Sequence, residues 1–202
     1  MIKREQVIEI QLGIDEVSYC SQQAKLAEIG GYSNIRLGDD RSGNLGIDQL
    51  IGQIGQYALS IYLFGEPSRY YIQRMSANLQ PTVGDQGQDI LGLNVDCKTS
   101  LKRNNQDPLT YRLLVRPQER HNNWCYILAL VQPNGDQKIL LTKPIMVQLV
   151  GWASDEELPV AREVSGPFKG AHVLRAPHLN PLPNMAWHWR GAGPAKKETP
   201  EF

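Results

Sequence analysis

The sequence predicts an α/β protein of the α+β kind, a central β-sheet flanked by helices, and three observations carry that expectation. Apolar residues recur at three- and four-residue intervals from Asp48 to Phe64, the period of a helix with one buried face. Between Asp89 and Trp152, short runs rich in Val, Ile, Leu and aromatic residues alternate with clusters of Gly, Pro, Asn and Asp, as strands joined by turns do. The 202 residues are 41% hydrophobic, enough to bury the core of one domain with a possible extra terminal subdomain.

In chain order, Val7 to Leu12 alternates as a short strand, and Asp15 is placed to cap a helix running through Gln22 and Lys25 to Gly30-Gly31. The turn formers from Gly38 to Asn44 predict a loop. The helix that follows sets Leu50, Ile51, Ile54, Ala58, Ile61 and Tyr62 on one side and ends at Gly65-Glu66-Pro67. Gly52 and Gly55 lower its helix propensity, and glycines in such a place mark a face that another backbone or a ligand approaches closely.

Tyr70 to Met75 then reads as a strand and Pro81 to Gln88 as a loop. Asp89 to Leu91 and Leu93 to Ser100 read as two strands turned at Gly92, and Tyr111 to Val115 and Trp124 to Val131 extend the same sheet around a polar turn at Gln118 to Asn123. The turn Pro133-Asn134-Gly135-Asp136 precedes Lys138 to Thr142 and Met146 to Trp152. Ser154, with Glu157 three residues on, is a capping box that predicts a helix start. Beyond Gly166 the chain reads as irregular, and from Gly191 to Phe202 as a flexible tail.

Lys plus Arg equals Asp plus Glu at 21 each, so no overall field of either sign points to a polyanion or excludes one. Cys20, Cys97 and Cys125 form no C-x-x-C pair and read as reduced thiols. No run of 18 apolar residues occurs, and the start from Met1 to Ile10 is interspersed with charges and has no apolar h-region, which predicts a soluble, cytoplasmic protein without a membrane partner. His172, His178 and His188 lack the clustered partners of a zinc site, and no nucleophile-elbow, P-loop or dinucleotide fingerprint is present. Tyr70-Tyr71 reads as packing rather than a base-stacking platform.

The chemistry concentrates between Gly87 and Ser100. Side chains alternate along a strand, so Asp96 and Lys98 share a face while Cys97 points to the other. If Gly92 folds the preceding segment back, Asp89 and Asp96 with the Cys97 carbonyl oxygen can ligate a hard cation such as Mg²⁺, or Mn²⁺. Lys98 then stands beside the metal-bound water, a set suited to phosphodiester hydrolysis. Lys102 and Arg103, just past the strand, are placed to contact substrate phosphates.

Gly87-x-Asp89 followed by Asp96-Cys97-Lys98, after a helix carrying Gly52-x-x-Gly55-Gln56, resembles the PD-(D/E)XK restriction-endonuclease-like superfamily. Trp124 to Val131, Val147 to Trp152 and the acidic segment after Ser154 also look like small members of it. The resemblance covers about half of the chain. It implies a restriction-endonuclease-like core with a mixed sheet, in which a helix leads to a three-strand meander bearing the acids and lysine, then another helix and strand. On that reading residues 1–45 are an N-terminal extension for dimerisation or DNA contact, 46–160 the nuclease-like core, 161–190 an irregular extension and 191–202 the tail.

The function so implied is a Mg²⁺-dependent endonuclease acting on DNA, of restriction, defence or homing type, and by analogy a homodimer. Asp89 and Asp96 are its metal ligands, Lys98 activates or positions water, and Gln56 completes the shell where relatives often carry Glu. Gln56 keeps an oxygen donor but removes one negative charge. That departure supports an alternative, a catalytically weakened nuclease-fold module that binds DNA or another partner.

Overall fold

The computed structural model describes residues 1–29, 45–79, 89–90, 92–103, 105–122, 124–136, 138–160, 163 and 169–182. Its elements are β1 (Ile8–Leu12), α1 (Ile14–Ile29), α2 (Leu45–Phe64), α3 (Ser68–Leu79), β2 (Val95–Leu101), β3 (Arg112–Val115), β4 (Cys125–Gln132), β5 (Ile145–Ser154) and β6 (His172–Arg175). The fold is α+β: a four-stranded mixed sheet in the order β1-β5-β4-β2, and a separate antiparallel pair of β3 with β6.

Helix α2 forms where the three-and-four spacing predicts, burying Ile51, Ile54, Tyr57 and Ala58. It stops at Gly65, whose N–H donates to the Ile61 carbonyl at 2.8 Å. With β1, β2, β4 and β5 it encloses one hydrophobic cluster that takes in Cys125, Ile127, Ala129 and Val131 of β4. The alternate residues Tyr126, Leu128 and Leu130 enter a second cluster with Leu113 and Val115 of β3. Both faces of β4 are therefore covered, which is why its sequence is a continuous apolar run rather than an alternation. A bulge in β5 opposite Leu128 and Ala129 shifts the register and returns Trp152 to the face of Ile127.

β2 lies at the sheet's edge, parallel to β4. Parallel neighbours cannot be joined by a tight turn, so the chain between them must cross over a face of the sheet. That crossover contains β3, which pairs with β6 over the second cluster. The expectation that Tyr111 to Val115 extends the main sheet is thereby corrected, and the meander expected to bear the acids and lysine does not form, since Asp89 lies in a bend and β3 belongs to the other sheet.

Three further expectations change. Tyr70 to Met75 belongs to helix α3, because its buried positions are Tyr70, Gln73 and Arg74, a helical spacing that polar residues on the buried face conceal. Lys138 to Thr142 is a turn region held by the Asn134 side chain, which accepts from the Leu140 N–H at 2.6 Å and donates to the Leu140 carbonyl at 2.9 Å. The capping box at Ser154 forms, with Glu157 Oε2 accepting from the Ser154 N–H at 2.8 Å, but it starts only the 3-10 turn Asp155–Glu157. Strand β6 has no counterpart in the sequence reading. The loops expected at residues 38–44 and 81–88, the helix end at Gly30-Gly31 and the tail from Gly191 lie outside the described residues.

Candidate functional site

The site begins with a close approach of helix to strand. A Cβ at Gly55 would stand 2.1 Å from Thr99 Oγ1, so only glycine lets α2 lie this near β2. Gly52 has nothing within 4 Å of the corresponding position. The close approach expected of both glycines is made at Gly55 by the Thr99 side chain, and at Gly52 by no neighbour among the described residues.

One residue beyond Gly55, Gln56 is buried, and its Nε2 donates to Asp89 Oδ1 at 2.5 Å. Asp89 Oδ2 accepts the Cys97 N–H at 2.6 Å, and the Asp89 N–H donates to the Val95 carbonyl at 3.2 Å. Asp89 and Ile90 form a bend rather than the expected strand, followed by a turn at Gly92 whose φ of +76° suits glycine. The fold-back is real, and it brings Asp89 against the free edge of β2 and the end of the Gln56 side chain. Among the described residues, Gln56 Oε1 is buried with no hydrogen-bond partner.

Asp96 and Lys98 share the other face of β2, as strand alternation requires. Lys98 Nζ lies 2.6 Å from Asp96 Oδ2 and 2.9 Å from Glu119 Oε2. Glu119 is held in place by a second contact, its Oε2 accepting from the Arg116 N–H at 3.1 Å. Tyr126, the β4 partner of Asp96, donates to the Glu119 carbonyl at 3.1 Å and accepts from the His121 N–H at 2.7 Å. Arg120 grips Asp155 through Nε to Oδ1 and Nη2 to Oδ2, both at 2.8 Å, fixing the far end of this polar layer.

The electrostatics follow from burial and pairing. Burial alone pulls the Lys98 ammonium down, but the Asp96 and Glu119 carboxylates reverse this and hold it above its ordinary value. Burial pushes Glu119 up, and Lys98 with the Arg116 N–H outweighs it, leaving the carboxyl below its ordinary value. Burial, reinforced by the Asp89 charge, raises the Cys97 thiol far above its ordinary value, so this sulfur is inert packing rather than a nucleophile.

Of the sequence-predicted residues, Gln56, Asp89 and Cys97 form one group at the sheet edge, and Asp96 with Lys98 forms another on the face away from α2. Glu119 was missed. The only local sign of it is its place three residues after Arg116 in a Pro-initiated turn, and nothing local links it to Lys98. Lys102 is only 7% exposed, so little of it is presented to a polyanion. Arg103 is exposed, with its backbone N–H donating to Tyr111 Oη at 2.5 Å.

The expected metal can be tested against these donors. Among the described residues, no three His, Cys, Asp or Glu side chains are grouped to hold an ion. The edge group instead offers an Asp89 carboxylate, the orphaned Gln56 Oε1 and the Cys97 carbonyl, which in a strand lies on the same side as the Cys97 N–H. All are oxygen donors of the kind Mg²⁺ takes, and the remaining positions would fall to water.

No family model, no curated protein and no solved structure matches the chain. Among the described residues, no helix is long and apolar enough to cross a membrane.

Proposed function

We propose that the chain is a metal-dependent nuclease that hydrolyses DNA phosphodiester bonds, with a restriction-endonuclease-like active site built on α2, the Asp89 bend and β2. The observation that carries this reading is the convergence of Gln56, Asp89 and Cys97, in which Gln56 Nε2 meets the carboxylate and its Oε1 is buried without a partner among the described residues. A buried amide oxygen without a partner costs about 1–3 kcal/mol, and with the amide rotated by half a turn a cation shared with Asp89 would satisfy it. When bound, Mg²⁺ would lower the pKa of a coordinated water and screen the nonbridging phosphate oxygens.

Asp89 and Gln56 would hold the ion and Cys97 would lend its carbonyl. Asp96 orients Lys98 through the 2.6 Å ion pair. Lys98, kept protonated by two carboxylates, serves as a fixed cation for a phosphate oxygen or as a donor to the leaving oxygen, rather than as the base that deprotonates water. This narrows the role expected of it from the sequence.

A second reading has its own support. Asp89 already accepts from Gln56 and Cys97, and Lys98 is engaged by two acids, so the polar groups largely satisfy one another. That arrangement suits a nuclease-fold binding module with weakened activity.

Purified protein with duplex and single-stranded DNA in Mg²⁺ or Mn²⁺ separates the two. The nuclease reading expects cleavage that Asp89→Asn and Lys98→Met abolish. Cleavage unchanged in both variants would overturn the site, and DNA binding with no cleavage would favour the module.

A further inference from the structure

We propose that the small β3–β6 sheet carries a phosphate-binding site, distinct from the Asp89 and Lys98 groups, centred on Arg112 and Arg175. The two arginines are directly opposite each other in the antiparallel register. Like charges in that relation repel, and an anion that bridges the two would relieve the repulsion. Both line an open surface pocket of about 340 Å³ together with Leu109, Thr110 and Pro177. At about 30 Å³ per water, that is room for on the order of ten waters, ample for a phosphate and the sugar attached to it.

The chemistry of the lining selects the ligand. Two guanidinium groups match the geometry of phosphate oxygens, which accept paired N–H bonds. Leu109 and Pro177 offer carbon surface to an apolar body carrying the phosphate, as a nucleotide does. Two acids stand near. Glu163 Oε1 lies 3.9 Å from Arg112 Nη1, a loose contact that a phosphate would displace or share. Asp107 is turned to the Leu109 N–H at 2.9 Å and is occupied there.

The phosphate site stands whether or not the chain is a nuclease. Only its assignment to a backbone phosphate of a DNA strand rests on the proposed function.

Titration calorimetry in EDTA, with inorganic phosphate, thymidine monophosphate and a short single-stranded oligonucleotide, tests both levels. Arg175→Gln is expected to weaken phosphate binding about tenfold or more, the loss of a charged hydrogen-bond pair. Arg175→Lys should recover part of it, Glu163→Gln should strengthen it, and Lys25→Gln, which removes an exposed cation on α1, should leave it unchanged. Equal phosphate binding by the wild type and Arg175→Gln, or no binding of any phosphate compound, would overturn the site. Binding of the monophosphate without the oligonucleotide would uphold the site and overturn the strand assignment. Loss of DNA cleavage in Asp89→Asn with phosphate binding intact would separate this proposal from the nuclease reading.

Discussion

Nε2 of Gln56 and Oδ1 of Asp89 are 2.5 Å apart, joining helix α2 to the bend before β2 by a buried, charge-assisted hydrogen bond. Rotating the amide by half a turn would bring Oε1 against the carboxylate, an arrangement stable only with a cation between the two oxygens. Gln56→Glu tests that directly. Without metal the paired carboxylates repel, so the melting midpoint at neutral pH should fall below that of the wild type. Mg²⁺ should then raise the variant's midpoint more than the wild type's. If Mg²⁺ moves neither midpoint, the metal reading of this edge is wrong.

Lys98 is the cation between Asp96 and Glu119, and removing it strands two largely buried carboxylates. Lys98→Ala is expected to cost about 3 kcal/mol in urea unfolding, the scale for breaking a buried ion pair from one side. The double variant Lys98→Met with Glu119→Gln should recover part of that loss. A cost within the ordinary scatter of surface substitutions, about 0.5 kcal/mol, would mean the triad is not formed in solution.

The same triad sets the pH dependence. The Glu119 carboxyl is lowered from an ordinary 4.5 on folding, so its contribution is complete above that value and is lost as pH falls through the lowered one. Lys98 is raised from 10.5, so its contribution is complete below that value and is lost only as pH rises above it. Stability measured against pH should therefore be flat through neutrality with respect to this pair and should fall in acid. Glu119→Gln should shallow the acid limb, and an unchanged limb would count against the pairing.

Gly55 and Gly52 make an opposed pair of tests. Gly55→Ala drives a methyl into Thr99 and should cost about 1–3 kcal/mol, as overpacking does. Gly52→Ala meets open space and should gain about 0.5–1 kcal/mol from helix propensity. Equal effects in urea denaturation would refute the close approach of α2 to β2.

Cys20, Cys97 and Cys125 are free and buried. Burial pushes Cys20 up to about 12 and Cys125 up to about 11, and raises Cys97 beyond the range of ordinary thiols. A thiol reagent at neutral pH should label none of them in the folded protein and all three after denaturation. Rapid labelling of the native chain at Cys97 would show that the edge beside Asp89 is open.

By itself, the sequence determined what depends on neighbours in the chain. The spacing of Leu50, Ile54, Ala58 and Ile61 made α2 a helix, the apolar run from Cys125 made β4 a doubly covered strand, and alternation put Asp96 beside Lys98. Each follows from a local period and the burial it allows. Tertiary structure decided what depends on distant partners. Tyr70 to Met75 became helix because α1 and α2 accept its polar residues on a buried face, an override that local propensity does not register. Residues 112–115 left the main sheet because β2 and β4 run parallel and the chain joining them has to cross a face. Glu119 reached Lys98, and Gln56 reached Asp89, only through that packing. Strand and helix periods fix the side on which a residue stands, whereas the partner it meets there is set by how distant segments close on one another.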